Sequence, residues 1–317
     1  MGEACQEALR VVFDRVIKLE FHMARVSSDA GLFPFRDLDE AVQLAESSAA
    51  GLFDFRTGAN IRHAMTALLR QSIYSRLAGY EDVNDAERLR VDPVMRHVVG
   101  GRAVDRYAAS TSQVACFETD VLCHPDNLGV LMNMPGQWVD RIRQRRPSGT
   151  LILDMDSSVS PTYGQQEGTA YNGHFGCECY HPLFLFNQDG DIERALLRCG
   201  NVASADDWRA VLEPVIERYR RVDIPRFFRG DAAFAIPELY ERLEAEGYTY
   251  TIRLKANAIL EGHVYNLLTR PVGRPPKQPQ RFYHSFEYRA ESWDRARRVV
   301  AKIEWHQGKL FPPLGSL

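Results

Sequence analysis

The chain has 317 residues, enough for two domains or one elaborated domain. Its 45% hydrophobic and 26% charged content is that of a soluble globular protein, and no apolar run approaches the ~18 residues of a membrane span. A net charge of −3 argues against a uniformly basic nucleic-acid coat but leaves room for local basic patches. The start, MGEACQEALR, lacks a basic segment followed by an apolar core, so no signal peptide is expected. Six cysteines at irregular spacing do not form a disulfide framework, and a reducing cytoplasm is the expected compartment.

Taken in order, Glu7 to Phe21 is expected to be helical, with Val11, Val12, Val16, Ile17 and Leu19 as a rough face. A second helix is expected over 36–50. Ile61 to Leu77 carries the best helical pattern of the first half: Ile61, Ala64, Met65, Leu68, Leu69, Ile73 and Leu77 recur at spacings of three and four. Arg62, Arg70 and Arg76 decorate its other faces, as a solvated basic surface or as contacts to DNA phosphates. Short helices follow over Asp85–Arg90 and Val94–Val99, and another from near Gln113. A long one ends in a basic cluster, Arg141, Arg143, Arg145 and Arg146. The first 147 residues thus read as all-α, and helices joined by short turns suit a DNA-binding bundle as well as many other folds.

The character changes at Pro147-Ser148-Gly149. TLILDMDSS is a strand ending in Asp154 and Asp156, whose alternate spacing puts both carboxylates on one face. Two like charges held that close need a cation or a proton between them. A plain strand end fraying into a loop is the alternative. A polar loop follows, then strands at HPLFLFNQ and IERALLRCGN joined by the turn Asp189-Gly190. A helix is expected over Ser204–Arg221, a strand ending at Asp231, a helix over Ile236–Gly247 and a strand at YTYTIRLKAN. This β, β-hairpin, α, β, α, β order places the first and fourth strands parallel, and ligands gather at the carboxyl ends of such strands. Asp156 and Asp231 can therefore meet across 75 residues of sequence. Beyond 260, a Pro-rich linker precedes two antiparallel strands, RFYHSFEYRA and RRVVAKIEWHQ.

These stretches resemble bacterial insertion-sequence transposases with a DDE catalytic core on an RNase H-like fold, and among them the insertion sequence thirteen-eighty group. The resemblance runs from about residue 26 to about residue 306. It rests on GYEDVNDAERLRVDP, LILDMDSSVSPTYGQQEGTAYNGHFGCECYHPLF, FFRGDAAF, TYTIRLKAN and RPVGRPPK. It implies an α/β chain: an all-α N-terminal region (1–147), a partial RNase H-like mixed-sheet core (148–260), and a Pro-rich linker with a β-hairpin insertion (261–317). It implies Asp156 and Asp231 as catalytic acids, Asp154 as the accompanying acid, and Mg²⁺ or Mn²⁺ held by the three. Two such ions, about 3.5–4 Å apart in sites of this kind, serve in-line displacement at phosphorus. The partners implied are double-stranded DNA, as element ends and target, and a second copy of the chain in a homodimer; no membrane is implied. The third acid belongs to a Tyr-x2-Arg-x3-Glu-x6-Lys pattern that the 317 residues do not contain. A truncated copy with impaired strand transfer is therefore the expectation.

Further DNA contacts are considered at Arg229, which could instead pair with Asp231, at Lys255, which could be a solvated strand end, and at Arg274. Gly273-Arg274-Pro275 resembles an AT-hook core, or is plain linker. Tyr163 and Tyr171 are candidates for stacking on a flipped base, with packing as the alternative. His174, Cys177, Cys179 and His181 have the chemistry of zinc ligands, but their Cys-x-Cys spacing is tighter than structural zinc sites use. Two competing functions remain at this point. One is a non-catalytic DNA-binding remnant. The other is a haloacid dehalogenase-like phosphatase, with Asp154 as nucleophile and Asp156 as general acid.

Overall fold

The computed structural model describes residues 9–14, 16–19, 29–57, 61–164, 166–269, 273 and 278–306. The chain divides into two compact units, Met1–Arg146 and Pro147–Leu317. Among the described residues no helix is long and apolar enough to cross a membrane.

The first unit opens with a correction. Instead of a helix over Glu7–Phe21, two short strands, β1 (Leu9–Arg10) and β2 (Lys18–Leu19), pair antiparallel. Between them the Asp37 carboxylate accepts the backbone N–H of Val12 at 2.7 Å, holding the chain out of helical hydrogen bonding. Helices follow: α1 (Phe33–Val42), α2 (Leu44–Gly51), α3 (Met65–Leu77), α4 (Ala86–Leu89), α5 (Pro93–Val99) and α6 (Arg102–Asp105). Then come α7 (Thr111–Cys116), continued by a π-helical turn, and α8 (Pro125–Arg145). The helix expected over 36–50 is broken at Gln43, which adopts φ +52°. Asp39 explains the break: one carboxylate oxygen accepts the N–H of Ala45 at 2.7 Å, while Arg70 (2.7 Å) and Tyr74 (3.0 Å) hold the other. The core gathers Leu68, Tyr74, Met95, Val98 and Phe117. Neither Arg70 nor Arg76 stands free on α3. Arg70 is buried on Asp39, and Arg76 makes a two-pronged pair with Glu118 at 2.8 and 3.0 Å.

The second unit holds the sheet. β3 (Leu151–Ser157) is followed by a stretch expected as loop that forms a small sheet of its own. It consists of β4 (Ser160–Pro161), β5 (Ala170–Asn172) and β6 (Cys177–Tyr180), in the order β4-β6-β5. The hairpin β7 (Leu183–Phe186) and β8 (Ile192–Leu196) follows, then α9 (Trp208–Tyr219), β9 (Arg226–Gly230), α10 (Pro237–Ala245) and β10 (Thr249–Ile252). After α11 (Ala258–Val264), β11 (Gln280–Tyr288) and β12 (Arg297–Trp305) pair antiparallel along their whole length. α9 starts later than Ser204 because the Arg198 guanidinium takes the carbonyls of Ala203, Ser204 and Asp206, which a helix would need.

The main sheet has the order β10-β9-β3-β7-β8. β3, β9 and β10 run parallel, while β7 is antiparallel to both its neighbours. A central first strand, an antiparallel hairpin on one side and two helix-linked parallel strands on the other make an RNase H-like mixed sheet. Alternation divides its faces. Leu151, Leu153, Met155, Leu183, Leu185 and Phe228 point to one side and pack against Val211, Leu212, Val215 and Ile216 of α9 and Leu239 and Leu243 of α10. Asp154 and Asp156 belong to the other face, where burial is partial or absent.

Candidate active site

β3 and β9 are neighbours in parallel register, and Met155 pairs with Gly230 in their last rung. Asp156 and Asp231 come next on the two strands, side by side at their carboxyl ends. Gly230, just before Asp231, leaves little room for a side chain, since a Cβ there would stand 3.3 Å from the side chains of Phe228 and Phe234. Past Gly230 the strand breaks into a 3₁₀ turn, Ala232–Phe234, that buries Phe234. Asp231 caps this turn, its carboxylate accepting the Ala233 N–H at 2.9 Å. Asp156 accepts the N–H of Ser157 at 2.9 Å. Each carboxylate is thus steadied by one backbone donor, and both are exposed.

Although Asp156 is exposed as a residue, partial burial of its carboxyl raises it above its ordinary 3.8, and the charges of Asp231 and Asp154 add to the rise against the Ser157 hydrogen bond. Such a group is relieved by a proton or a cation. The oxygens present are all hard carboxylate donors, which suit Mg²⁺ or Mn²⁺. Asp156 and Asp231 thus offer two donors of the type such an ion takes, fewer than the three that would make a site by themselves.

Asp154 has a different neighbour. Arg229 lies directly across from it in the β3–β9 register, and the guanidinium reaches its carboxylate at 2.6 Å. The alternative partner for Arg229, Asp231, is not the one it takes. Strand register decides this, because same-row residues of adjacent strands have their side chains on one face.

The remaining sequence candidates fall elsewhere. Arg141 donates to the carbonyls of Val42 (2.8 Å) and Gln43 (3.3 Å), and Arg145 to that of Ala41. Both satisfy the carbonyl end of α1, where a cation is favoured. Arg143 is half-buried, and Arg146 is exposed at the end of α8. Lys255 is exposed three residues beyond β10. Arg274 lies outside the described residues. Tyr163 and Tyr171, on the small sheet region that follows β3, are 88% and 62% exposed, so neither packs into a core. Cys179 and His181 are buried, the latter with its ring 3.1 Å from the Val202 carbonyl. Among the described residues no group of three or more His, Cys, Asp or Glu is placed to hold a metal ion by itself.

Solved structures similar to this chain include the piggyBac transposase in a synaptic complex with hairpin DNA, at 13% identity and a TM-score of 0.34. That match covers 86% of this chain and 60% of the other, so this chain spans under two thirds of that protein's length. The Mos1 strand transfer complex is also similar, at 13% identity and a TM-score of 0.23, covering 72% and 78% of the two chains. A search of curated proteins gives no match. The sequence family described as transposase DDE domain group 1 matches residues 9–313, and the chain belongs to this family.

Proposed function

We propose that the protein is a DNA transposase of the insertion sequence thirteen-eighty group, with Asp156 and Asp231 as its catalytic acids. The observation that carries this reading is the pairing of two exposed carboxylates at the ends of adjacent parallel strands, one of them pushed toward protonation. Asp156 and Asp231 would hold Mg²⁺ or Mn²⁺. When bound, the metal supplies charge neutralisation at phosphorus and an activated oxygen nucleophile. Asp156 and Asp231 would hold that charge beside the scissile phosphate, one oxygen of each carboxylate being steadied by a backbone N–H. Asp154 stays with Arg229 and holds that cation at the rim, where it can meet a phosphate oxygen once DNA arrives. The Met1–Arg146 unit is read as the part that binds element ends, with Arg146 and Lys255 as further backbone contacts. A homodimer follows from the need to pair two ends.

The 317 residues contain no Tyr-x2-Arg-x3-Glu-x6-Lys run, so the third carboxylate of the resemblance is not among them. We read strand transfer by these residues alone as impaired. The test is Mg²⁺- or Mn²⁺-dependent nicking of duplex DNA by the whole chain. Asp156→Asn and Asp231→Asn should each lower nicking by more than the roughly 10–100-fold that loss of an outer partner costs a metal site. DNA binding should survive both changes. Equal nicking by the variants sinks the assignment of these acids. Metal-independent binding with no nicking by the unaltered chain favours a binding-only remnant.

A further inference from the structure

A groove of about 1000 Å³ runs between the outer strand of the main sheet, β10, and the first half of β12. Six basic side chains border it: Arg229, Arg253, Arg295, Arg297, Arg298 and Lys302. Glu244 is the one carboxylate among the residues that line it. Glu244 is itself engaged by Arg295 and by Arg297 at 2.9 Å. Arg298 and Lys302 stand four residues apart on the exposed face of β12, the first bonded to the Ser285 hydroxyl at 2.9 Å, the second paired with Glu304 at 2.9 Å. Pairs this exposed yield readily to a better anion.

The groove begins at the catalytic end. Arg229 and Gly230 line it, the residue after Gly230 is Asp231, and Arg229 is tied to Asp154. Its rings are closed off. Tyr240, Tyr248 and Trp293 are buried, and Tyr250 stacks on Tyr240 at 5.4 Å. Exposed among the lining residues are cations, the hydroxyls of Thr249 and Thr251, and one aliphatic side chain, Val300, but no aromatic ring. Single-strand sites need open aromatic faces on which bases stack. A surface of cations and hydroxyls without open rings suits phosphates held in the regular spacing of a duplex.

We propose, on the reading that this chain cuts DNA at Asp156 and Asp231, that this groove seats the sugar-phosphate backbone of duplex DNA leading to the acid pair, without regard to base sequence. Arg298 and Lys302 are its principal phosphate contacts.

The test is fluorescence anisotropy with the whole chain and a random-sequence duplex, without divalent ions, across a salt series. Arg298→Ala combined with Lys302→Ala should flatten the log–log salt slope by about 1.8, from 0.9 per phosphate lost, and weaken binding roughly 10- to 100-fold at about 50 mM salt. Thr251→Glu, which adds a negative charge inside the groove and removes no ion pair, should weaken duplex binding in the same direction and serves where the double variant unfolds. An unchanged slope in the folded double variant, or unchanged duplex affinity in folded Thr251→Glu, overturns the proposal. So does a larger loss for a single strand of equal length, or an equal loss for polyglutamate, which would make the groove a general acidic-chain site. The catalytic assignment fails separately: metal-dependent nicking that survives Asp156→Asn removes it even if the salt slopes change as expected.

Discussion

Two carboxylate clusters in the second unit are built in opposite ways. At the β3–β9 end, Asp156 has two acids for company and is pushed up from its ordinary value by burial and by them. On α10, Glu244 has three donors instead. Against the upward push of burial, hydrogen bonds from Arg297, Tyr250 and Arg295 hold it down to about 2. Arg297 in turn lies over the rings of Tyr240 and Trp293, at 5.2 and 5.4 Å. Glu244 is complete within the chain and fastens the β11–β12 hairpin to α10 and β10. Asp156 is crowded by acids and raised instead, the kind of environment that functional sites favour.

The contrast can be broken most forcefully at Glu244. Glu244→Ala leaves Arg297, 8% exposed, with only Asp294 as an acidic partner, and should cost about 3 kcal/mol in denaturant unfolding. The pH dependence has a definite sign. A carboxyl lowered from 4.5 to about 2 contributes stability that is full above 4.5 and is lost as pH falls toward 2. Acid unfolding of the variant should therefore be shallower in that window than that of the unaltered chain, and parallel curves would show that the cluster does not fasten the hairpin.

Asp156→Asn should act in the other direction. A raised carboxyl favours the folded state when protonated and loses that contribution as pH rises through its folded value. The variant should melt slightly higher at neutral pH, by less than about 3 °C, and the gain should vanish in acid. Added Mg²⁺ should raise the melting temperature of the unaltered chain and leave the variant unmoved; an equal Mg²⁺ response in both argues that the cation binds elsewhere. Smallest of all is Arg229→Ala. Its pair with Asp154 is exposed on both sides, and its removal should change stability by less than about 1 kcal/mol. A larger loss by chemical denaturation would make the pair structural.

Much of the sheet could be read from the chain because alternation is local. Leu151, Leu153 and Met155 against Asp154 and Asp156 already separate the two faces, and Asp189-Gly190 already announces the hairpin. What could not be read depends on distant partners. The β-branched residues at 11–12 and 16–17 suit a helix or a hairpin equally, and Asp37 decides between them. The start of α9 depends on Arg198, and the partner of Arg229 depends on register. Arg298 and Lys302 carried a signal in RRVVAK, a basic residue at every fourth position of an alternating strand. It points to one face of β12 but not to the β10 edge across the groove.

The parallel rung between Met155 and Gly230 also bears on how the protein comes into being. Between β3 and β9 the chain runs through the small sheet, a hairpin and a helix, and such long-range pairing is slow to form. A nascent chain that has made β3 but not β9 carries Asp154 and Asp156 without Asp231. On the proposed assignment, its ability to cut DNA would appear only once β9 has joined the sheet beside β3.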